Sequence, residues 1–320
     1  MESGAEAQHI PVLAEAAVAW LSPALGGRGP LVDCTVGAGG HAEAFLKELP
    51  ELVVLGIDRD QQALDVAGKR LEGFGDRVKL WHGNFADIRR IAEEEGYEEV
   101  GAILYDLGVS SIQLDRPGRG FGYRNGFALD MRMDAGAAPS AADIVSTYTE
   151  SKLAEVISRF GEERYARRIA RAIVARRARR PFSDAGDLAE VIKEAIPAAT
   201  RRTGPHPARR TFQALRIETN QEIEALERSL PLAVSLLRAG GRVGVISYHS
   251  LEDRVVKQTF RSHAEGCICP PDIAVCVCGR KPKLKVLTRK PVRPGEEEIA
   301  RNRRADSARM RVAEKLPEVA

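Results

Sequence analysis

Short, continuously apolar runs alternate with stretches of helical spacing through the first third of this 320-residue chain. Strands that are buried on both faces of a sheet read as unbroken apolar runs, whereas strands with one solvated face alternate in polarity. A strand–helix–strand rhythm implies parallel neighbours with helices on the faces of the sheet. The sequence therefore predicts an α/β fold whose first four strands cover residues 31–34, 53–58, 78–82 and 100–106.

The rhythm stops after the fourth predicted strand and resumes about a hundred residues later. From residue 108 to about 216 the sequence has helical patterns and lacks the pattern of a buried strand: 151–160, 162–178 and 184–195. An amphipathic stretch over 213–237 then leads to a fifth predicted strand over 242–248. Two short extended runs, 285–288 and 309–312, would add antiparallel edge strands.

This organisation predicts two domains. The first is a discontinuous Rossmann-like sheet domain formed by residues 1–109 and 217–320, and the second is a mainly helical domain, residues 110–216, inserted after the fourth strand. Loops at the carboxyl ends of parallel strands usually carry the ligand site of such a sheet, so candidate residues are sought there.

A glycine-rich turn follows the first predicted strand. Residues 37–42 read Gly-Ala-Gly-Gly-His-Ala and fit the pattern G-x-G-x-x-G/A, in which glycines allow a tight turn and a ligand can approach the free N–H groups of the next helix. Asp58 ends the second strand, 19 positions after Gly39, where its carboxylate could accept hydrogen bonds from ribose hydroxyls. The alternative is an ordinary turn beside an exposed aspartate.

The acidic residue before this turn separates two cofactors. Asp33 lies four positions before Gly37, and a carboxylate there would repel a dinucleotide diphosphate but suit the amino group of a methionine moiety. S-adenosylmethionine is therefore favoured over a nicotinamide dinucleotide. Asn84 and Phe85 end the third strand and would suit the edge and face of an adenine, although Phe85 is equally well explained as a core residue.

Asp106 ends the fourth predicted strand and is the candidate catalytic residue. Its carboxylate could orient a methyl donor, accept a hydrogen bond from an amine that is being methylated, or cap the next element. Methyl transfer is an in-line displacement, so positioning supplies most of the acceleration and a general base is not required.

Positive charge is concentrated in the predicted inserted domain. Residues 151–216 hold 16 basic and 7 acidic side chains, a net charge of +9, whereas the rest of the chain holds 32 basic and 38 acidic residues, a net charge of −6. Such an asymmetry is typical of a segment that faces a polyanion, and a solvated helix face is the alternative. The candidate RNA-binding residues are Arg164, Arg167, Arg168, Arg171, Arg176 and Arg177.

Four of the five cysteines fall within twelve residues: Cys267, Cys269, Cys276 and Cys278. In a cytosolic protein such a cluster indicates a metal site or free thiols before disulfides. Four thiolates could hold one tetrahedral zinc ion. Because the C-x-C spacing is tighter than the common C-x-x-C, zinc and reduced thiols remain open alternatives.

Seven segments of this chain resemble the bacterial 16S ribosomal RNA cytosine-N4 methyltransferases: residues 9–13, 33–41, 106–113, 129–133, 161–164, 210–216 and 247–254. The resemblance runs from about His9 to Glu314. It implies methylation of the exocyclic amine of cytosine 1402 of 16S rRNA in the small ribosomal subunit, and a Rossmann-like sheet with a helical insertion. It also implies that S-adenosylmethionine is contacted by Gly39, Gly40, His41, Asp58, Phe85, Asp106 and Gln113.

Composition is consistent with this reading. The chain is 44% hydrophobic and 29% charged, lacks an apolar stretch long enough for a membrane span, and begins with an acidic segment unlike a signal peptide. We therefore expect a cytoplasmic protein with rRNA and without a membrane as its partner, and a homodimer is compatible with the sequence. The alternative functions are a non-catalytic ribosome assembly factor that keeps the cofactor pocket, and an NAD-dependent oxidoreductase.

Overall fold

The computed structural model describes residues 11–26, 30–110, 113–114, 117–124, 126–136, 139–201, 206–269 and 277–318. The chain divides into two compact units. The first, the sheet unit, comprises Met1–Gly108 and Ile223–Ala320, and the second, the inserted unit, comprises Val109–Glu222. None of the described helices is long and apolar enough to cross a lipid bilayer.

The sheet unit alternates helices and strands along the chain. Its helices are α1 (Ala14–Leu25), α2 (Gly40–Glu48), α3 (Gln61–Leu71) and α4 (Ile88–Glu94) before the insertion. Its first four strands are β1 (Pro30–Asp33), β2 (Val53–Asp58), β3 (Val78–His82) and β4 (Val100–Asp106). The positions of these four strands agree with the apolar runs. Residues in β1, β2 and β4 are buried almost without a break, whereas β3, an edge strand, is only partly buried.

The inserted unit is helical in its described parts. It contains α5 (Ala141–Thr147), α6 (Glu150–Gly161), α7 (Ala166–Arg177), α8 (Ala185–Ala195), α9 (Ala198–Arg201) and α10 (Arg209–Asn220). After the insertion, the sheet unit continues with α11 (Glu222–Leu236), β5 (Leu237–Ser247), α12 (Ser250–Ala264), β6 (Leu284–Val286), α13 (Glu296–Arg301) and β7 (Arg309–Lys315).

The strands form one seven-stranded sheet among the described residues, in the order β3-β2-β1-β4-β5-β7-β6. The pairs β3–β2, β2–β1, β1–β4 and β4–β5 are parallel, and β7 is antiparallel to both β5 and β6. The strand order reverses direction between β1 and β4, and a crevice at such a point is the usual ligand site of an open α/β sheet.

Two apolar clusters cover the faces of the sheet. One contains Leu55, Ile103 and Phe260, and the other contains Leu31, Phe45 and Leu104. Neighbouring residues of one strand, such as Ile103 and Leu104, therefore lie in opposite clusters, as the alternation of side chains along a strand requires. A third cluster, which includes Ile157, belongs to the inserted unit and gives that unit its own core.

Three of the quoted sequence motifs pack against α10 inside the inserted unit, and two of them meet where α10 contacts α6. A Cβ atom added to Gly161 would lie 2.7 Å from the Arg210 carbonyl oxygen, so only glycine fits there. Gln213 donates to the Phe160 carbonyl oxygen at 3.0 Å. Asn220 of α10 donates to the Met131 carbonyl oxygen at 2.7 Å and accepts from the Met133 N–H at 2.8 Å.

The amphipathic stretch over 213–237 is formed by two helices, α10 and α11, because Gln221 between them has a left-handed φ of 50° that a continuous helix cannot contain. The two C-terminal runs do form antiparallel strands, but the prediction that both lie at the edge of the sheet was wrong. Strand β7 is an inner strand that pairs with β5 on one side and β6 on the other, so β6 alone of the two occupies the sheet edge.

Candidate active site

The carboxyl ends of β1, β2, β4 and β5 bring the predicted site residues of the sheet unit together. Asp33 ends β1, Asp58 ends β2 and Asp106 ends β4. The loop after β1 is tied to β4, because the Thr35 hydroxyl accepts a hydrogen bond from the Asp106 N–H at 2.6 Å. Three carboxylates and a glycine turn thus share one end of the parallel sheet.

The turn after β1 requires glycine at two positions. Gly37 has φ 53° and Gly39 has φ 81°, and residues with side chains are strained in this left-handed region. Gly39 is also the N-cap of α2, and a Cβ atom there would lie 3.1 Å from the Leu71 side chain. Gly40 lies against Pro11, at 3.2 Å from a built Cβ. Gly37 and Gly39 therefore allow the left-handed turn, and Gly39 and Gly40 allow it to pack closely against Leu71 and Pro11.

Asp58 is held by the backbone of the turn. Its Oδ2 accepts from the Gly37 N–H at 2.9 Å and its Oδ1 accepts from the Asp60 N–H at 2.9 Å. Burial raises the pKa of Asp58 to about 6, against the lowering effect of these N–H donors. Each carboxylate oxygen can accept more than one hydrogen bond, so Asp58 keeps capacity for a ribose hydroxyl.

Asp33 is the most unusual carboxylate of the group. It is fully buried, and its Oδ1 accepts from the Thr35 N–H at 3.2 Å. No donor within the described residues reaches its Oδ2. Burial raises the pKa of Asp33 to about 7, and the nearby His41 opposes the rise. A buried carboxylate oxygen without a partner is costly unless a ligand supplies the missing donor.

His41 links the glycine turn to the N-terminal segment. Its Nε2 lies 2.9 Å from the Val12 carbonyl oxygen, and its Nδ1 lies 3.5 Å from Asp106 Oδ2. The side chain is 6% exposed. Together with the contact of Gly40 on Pro11, this explains why the quoted motif at residues 9–13 accompanies the glycine motif, although its first two residues lie outside the described part of the chain.

Tyr248 is a site residue that the sequence reasoning missed. Its hydroxyl donates to Asp106 Oδ1 at 2.7 Å, and its ring lies 3.3 Å from the position of a Cβ on Gly108. Burial and the neighbouring Asp106 carboxylate raise the pKa of Tyr248 well above its usual range, so it stays a donor. The available signal was its position directly after β5, the neighbour of β4 in the sheet.

The backbone of Tyr248 is fixed by the start of α12. Buried Glu252 accepts from the N–H groups of Tyr248 at 2.8 Å and His249 at 3.2 Å. His249 caps the helix, and its Nε2 lies 3.0 Å from Glu252 Oε1. This reciprocal capping holds the tyrosine ring in place over Gly108, and it accounts for part of the motif at residues 247–254.

Phe85 and Gln113, unlike the three carboxylates, do not end a strand of the sheet: Phe85 packs against an apolar cluster of the sheet unit, and Gln113 belongs to the inserted unit. Phe85 is partly buried, packs edge-on against Tyr105 at 5.5 Å between ring centroids, and accepts from the Ser229 hydroxyl through its carbonyl oxygen at 2.8 Å. Gln113 belongs to the inserted unit, is 4% exposed, and accepts from the Ser110 N–H at 3.1 Å through Oε1.

The basic helix α7 presents only some of its arginines to solvent. Arg167, Arg168 and Arg171 of this helix are exposed, and so is Arg164 just before it. Arg176 instead forms a two-point ion pair with Asp187, at 2.9 and 2.7 Å. Arg177 donates to the carbonyl oxygens of Val145 and Tyr148, both at 2.6 Å. The guanidinium groups of Arg176 and Arg177 therefore stabilise the inserted unit. The other four are exposed, although Arg171 also lies 3.5 Å from Glu150.

Three of the four clustered cysteines belong to the described part of the chain. Cys267, Cys269 and Cys278 bring their sulfur atoms within 4.8 Å of one another, whereas Cys276 lies outside the described residues. The fifth cysteine, Cys34, is buried in the sheet core, and its pKa is raised by that burial. The cluster is thus separate in sequence and in environment from the lone thiol beside Asp33.

These features define a class and then a family. A parallel sheet that reverses between β1 and β4, with an antiparallel seventh strand inside it and a glycine turn flanked by carboxylates, is the Rossmann-like fold of S-adenosylmethionine-dependent methyltransferases. A family model described as the MraW methylase family matches residues 6–316. The chain belongs to this family.

Curated relatives extend over nearly the whole chain. Ribosomal RNA small subunit methyltransferase H of Carboxydothermus hydrogenoformans is 50% identical over 311 residues, which are 97% of this chain and 99% of that protein. The protein of the same name from Renibacterium salmoninarum is 49% identical over 315 residues, 97% of this chain and 95% of its own length. A solved rRNA methylase from Streptococcus thermophilus aligns over 97% of this chain and 99% of its own, at 13% identity and a TM-score of 0.43.

Proposed function

We propose that this chain transfers a methyl group from S-adenosylmethionine to the exocyclic N4 amine of cytosine 1402 of 16S rRNA in the small ribosomal subunit. The names of the curated relatives support ribosomal RNA of the small subunit as the substrate. The choice of the cytosine amine follows from the family resemblance of the sequence motifs. Ribosomal subunits are found in the cytoplasm, and we place the activity there.

The buried Asp33 carboxylate carries the cofactor assignment. Its Oδ2 has no donor among the described residues, and it ends β1 directly before the glycine turn. The ammonium group of a methionine moiety has three donors and a positive charge, so it would satisfy this oxygen and favour its ionised form. A dinucleotide diphosphate would bring a second anion to the same place. The residues present therefore fit S-adenosylmethionine better than NAD.

The other carboxylates and the turn would complete the cofactor site. Asp58, already fixed by the Gly37 N–H, would accept from the ribose hydroxyls, and Gly39 and Gly40 would give the cofactor close access to the backbone. His41, Phe85 and Gln113 remain the further contacts that the family resemblance predicts. When bound, S-adenosylmethionine supplies an electrophilic methyl carbon.

Asp106 is the proposed partner of the target amine. Its Oδ1 accepts from Tyr248, so the carboxylate is fixed in orientation, and its side chain is 24% exposed. A carboxylate oxygen can accept a further hydrogen bond from an N–H of the cytosine amine, which directs the nitrogen lone pair and stabilises the positive charge that develops on nitrogen. Methyl transfer would form a bond from the amine nitrogen to the methyl carbon in line with the breaking carbon–sulfur bond, with S-adenosylhomocysteine as the leaving group and one N–H proton released. Positioning of the amine is therefore the main contribution of the protein.

The exposed arginines of the inserted unit would bind the RNA backbone. Arg164, Arg167, Arg168 and Arg171 lie within the segment of net charge +9. Phosphate contacts from arginines position a nucleic acid without reading its sequence. The choice of nucleotide would then depend on the site around Asp106 and on the shape of the rRNA.

The decisive experiment incubates the purified protein with methyl-labelled S-adenosylmethionine and small subunits that lack the modification. We expect label in 16S rRNA and, by mass mapping, at N4 of cytosine 1402. An Asp106→Asn variant tests the role of this carboxylate. It should transfer label at least about tenfold more slowly than the wild type, because one charge-assisted acceptor is lost. Label at another nucleotide would refute the proposed target.

The two alternative functions give different outcomes. Binding to small subunits without any label in RNA would identify a non-catalytic assembly factor. Calorimetry with S-adenosylmethionine, its demethylated product and NAD separates the cofactors, and tight binding of NAD alone would refute the methyl-donor site. Light scattering of the full chain would test the homodimer, which stays a prediction of the sequence.

A further inference from the structure

Three cysteines from two separate stretches of chain meet after helix α12. Cys267 and Cys269 follow the end of α12 at Ala264, and Cys278 precedes β6, which begins at Leu284. Their sulfur atoms all lie within 4.8 Å of one another. The methyltransferase site described above does not use any of them, and the sheet already has a complete apolar core without them.

The distance between two of the sulfurs fits metal coordination better than a disulfide. Cys267 Sγ and Cys278 Sγ are 3.8 Å apart. Two thiolates that bind one zinc ion at about 2.3 Å with tetrahedral angles are separated by roughly 3.8 Å. A disulfide would need about 2.05 Å. These two sulfurs thus already lie at the edge length of a zinc–thiolate tetrahedron.

The surroundings of the cluster suit a metal site that carries negative charge. The Cys269 N–H donates to Cys267 Sγ at 3.4 Å, and backbone N–H donors to sulfur are common around metal-bound cysteines. Arg280, Lys281 and Lys283 follow Cys278 closely in the chain, and their positive charges would offset the negative charge of a zinc ion with several thiolates. Arg280 donates to the Ser262 carbonyl oxygen, which holds this basic stretch beside the end of α12.

Apolar packing does not explain why the cysteines converge. The two apolar residues beside them, Ile268 and Val277, are 60% and 77% exposed. These two apolar side chains are therefore largely in solvent and do not form a core around the thiols. Small segments without an apolar core are commonly ordered by a structural metal ion.

We propose that Cys267, Cys269 and Cys278 bind a structural zinc ion. Zinc suits this site because it prefers sulfur ligands in tetrahedral geometry and is redox-inert. The ion would fasten the end of α12 to the stretch that leads into β6 and so fix one end of the sheet edge. Cys276, whose spacing made it a candidate ligand in the sequence, lies outside the described residues, and the proposal does not depend on it.

The test measures the metal content of the full-length protein, purified under reducing conditions without metal-affinity chromatography. We expect about one zinc ion per chain by elemental mass spectrometry. Single Cys267→Ser, Cys269→Ser and Cys278→Ser variants should lose most of it. An Ile268→Ser variant is the matched control, because it changes an exposed residue between two of the ligands and should keep the zinc of the wild type.

A second measurement keeps the proposal testable if a cysteine variant folds poorly. Wild-type protein stripped of metal by a chelator should take up one equivalent of Co²⁺ and develop thiolate-to-cobalt charge-transfer absorption, which Zn²⁺ should abolish. Stripped protein that binds neither ion, a site that holds iron, or Cys variants that retain zinc would each overturn the assignment. A disulfide between Cys267 and Cys278 in protein isolated under non-reducing conditions, with zinc absent from all preparations, would do so as well.

Discussion

At the scale of single residues, the hydroxyl of Tyr248 determines how Asp106 is presented. The Tyr248→Phe substitution removes the donor that lies 2.7 Å from Asp106 Oδ1 and keeps the ring over Gly108. A hydrogen bond to a charged group contributes about 1.5–3 kcal/mol, so kcat for methyl transfer should fall by about 10- to 100-fold. Steady-state kinetics with saturating cofactor would measure the change.

A positioning role for Tyr248 predicts a specific pattern of effects. The KM for S-adenosylmethionine and the melting temperature should stay near those of the wild type, because the ring and its packing remain. Tyr97→Phe, a change at a partly buried tyrosine that packs against the sheet core, is the control and should leave kcat unchanged. Equal losses of kcat in both variants would argue against the Tyr248–Asp106 contact as the cause.

Ionisation of Asp33 should lower the stability of the ligand-free protein and raise its affinity for the cofactor, so both quantities should depend on pH. The pKa of its carboxyl is raised from 3.8 to about 7 by burial, so between these values the folded protein holds a proton that the unfolded chain has released. Stability therefore falls as pH rises through this window, and above pH 7 the ionised carboxylate is fully unfavourable in the ligand-free protein. Cofactor affinity should rise over the same window, since the ammonium group needs the carboxylate.

The Asp33→Asn variant should lack both the loss of stability and the gain of cofactor affinity that Asp33 gives the wild type as pH rises. At pH 8 its free energy of unfolding, from urea denaturation, should exceed that of the wild type by on the order of 2 kcal/mol, and the gain should shrink toward pH 4. Calorimetry at pH 8 should show at least about tenfold weaker binding of S-adenosylmethionine. A variant that is destabilised at pH 8, or that binds the cofactor as well as the wild type, would contradict the proposed role.

At the scale of elements, the turn from β1 to α2 depends on left-handed backbone at its glycines. Gly39→Ala should lower the free energy of unfolding by about 1–2 kcal/mol, because a left-handed φ costs a residue with a side chain about that much. Its Cβ would also press on Leu71 at 3.1 Å. Cofactor affinity should fall as the turn shifts.

The control for the turn is Gly73→Ala. A Cβ atom at Gly73 would meet no described atom within 4 Å, so its unfolding free energy should stay within about 0.5 kcal/mol of the wild type. Denaturation curves and calorimetry of the two variants would make the comparison. If the two alanine variants behaved alike, the special conformation of Gly39 would not be what the site requires.

Helix α7 shows how one element can serve two purposes. Its C-terminal arginines, Arg176 and Arg177, are used inside the inserted unit, while Arg167 and Arg168 are exposed and, among the described side chains, form no ion pair. Apolar Ile169 and Ile173 bury the opposite side of the helix. The division follows from helical periodicity, since Arg176 and Arg177 come nine positions after Arg167 and Arg168, which at 3.6 residues per turn places them on the opposite side of the helix.

At the scale of the whole molecule, the uneven charge distribution predicts a salt-dependent interaction with RNA. The Arg167→Ala/Arg168→Ala double variant should bind small-subunit RNA several-fold more weakly. The slope of log K against log salt should decrease in magnitude by about 1.4–1.8, which corresponds to two lost phosphate contacts. Filter binding at several salt concentrations would give both quantities.

The matched control for RNA binding is Arg89→Ala/Arg90→Ala. These arginines are also adjacent on one helix, α4, where Arg90 is exposed and Arg89 is half-buried, but they pair with Glu93 and Glu94 and belong to the sheet unit. Their removal should leave the salt slope unchanged. Equal changes in both double variants would indicate a diffuse effect of net charge and would refute α7 as the RNA-binding face.

Much of the fold was predictable because its signals are local. Continuous burial of β1, β2 and β4 appears directly as apolar runs in the sequence. Each of these strands ends in its own aspartate, and the glycine turn follows β1 within a few residues. The site was less predictable. Tyr248 and Asp106 are 142 positions apart, and their contact exists because β4 and β5 pair across the intervening insertion.

The sequence by itself determined the α/β class, the glycine turn with its carboxylates, the concentration of positive charge and the family. Tertiary structure alone decided that β7 lies inside the sheet, that Arg176 and Arg177 serve the inserted unit, and that Asp33 has a buried oxygen without a partner. The reason is physical: periodicity and turn chemistry act over a few residues, whereas strand pairing, desolvation and hydrogen-bond satisfaction depend on residues that only the folded chain brings together.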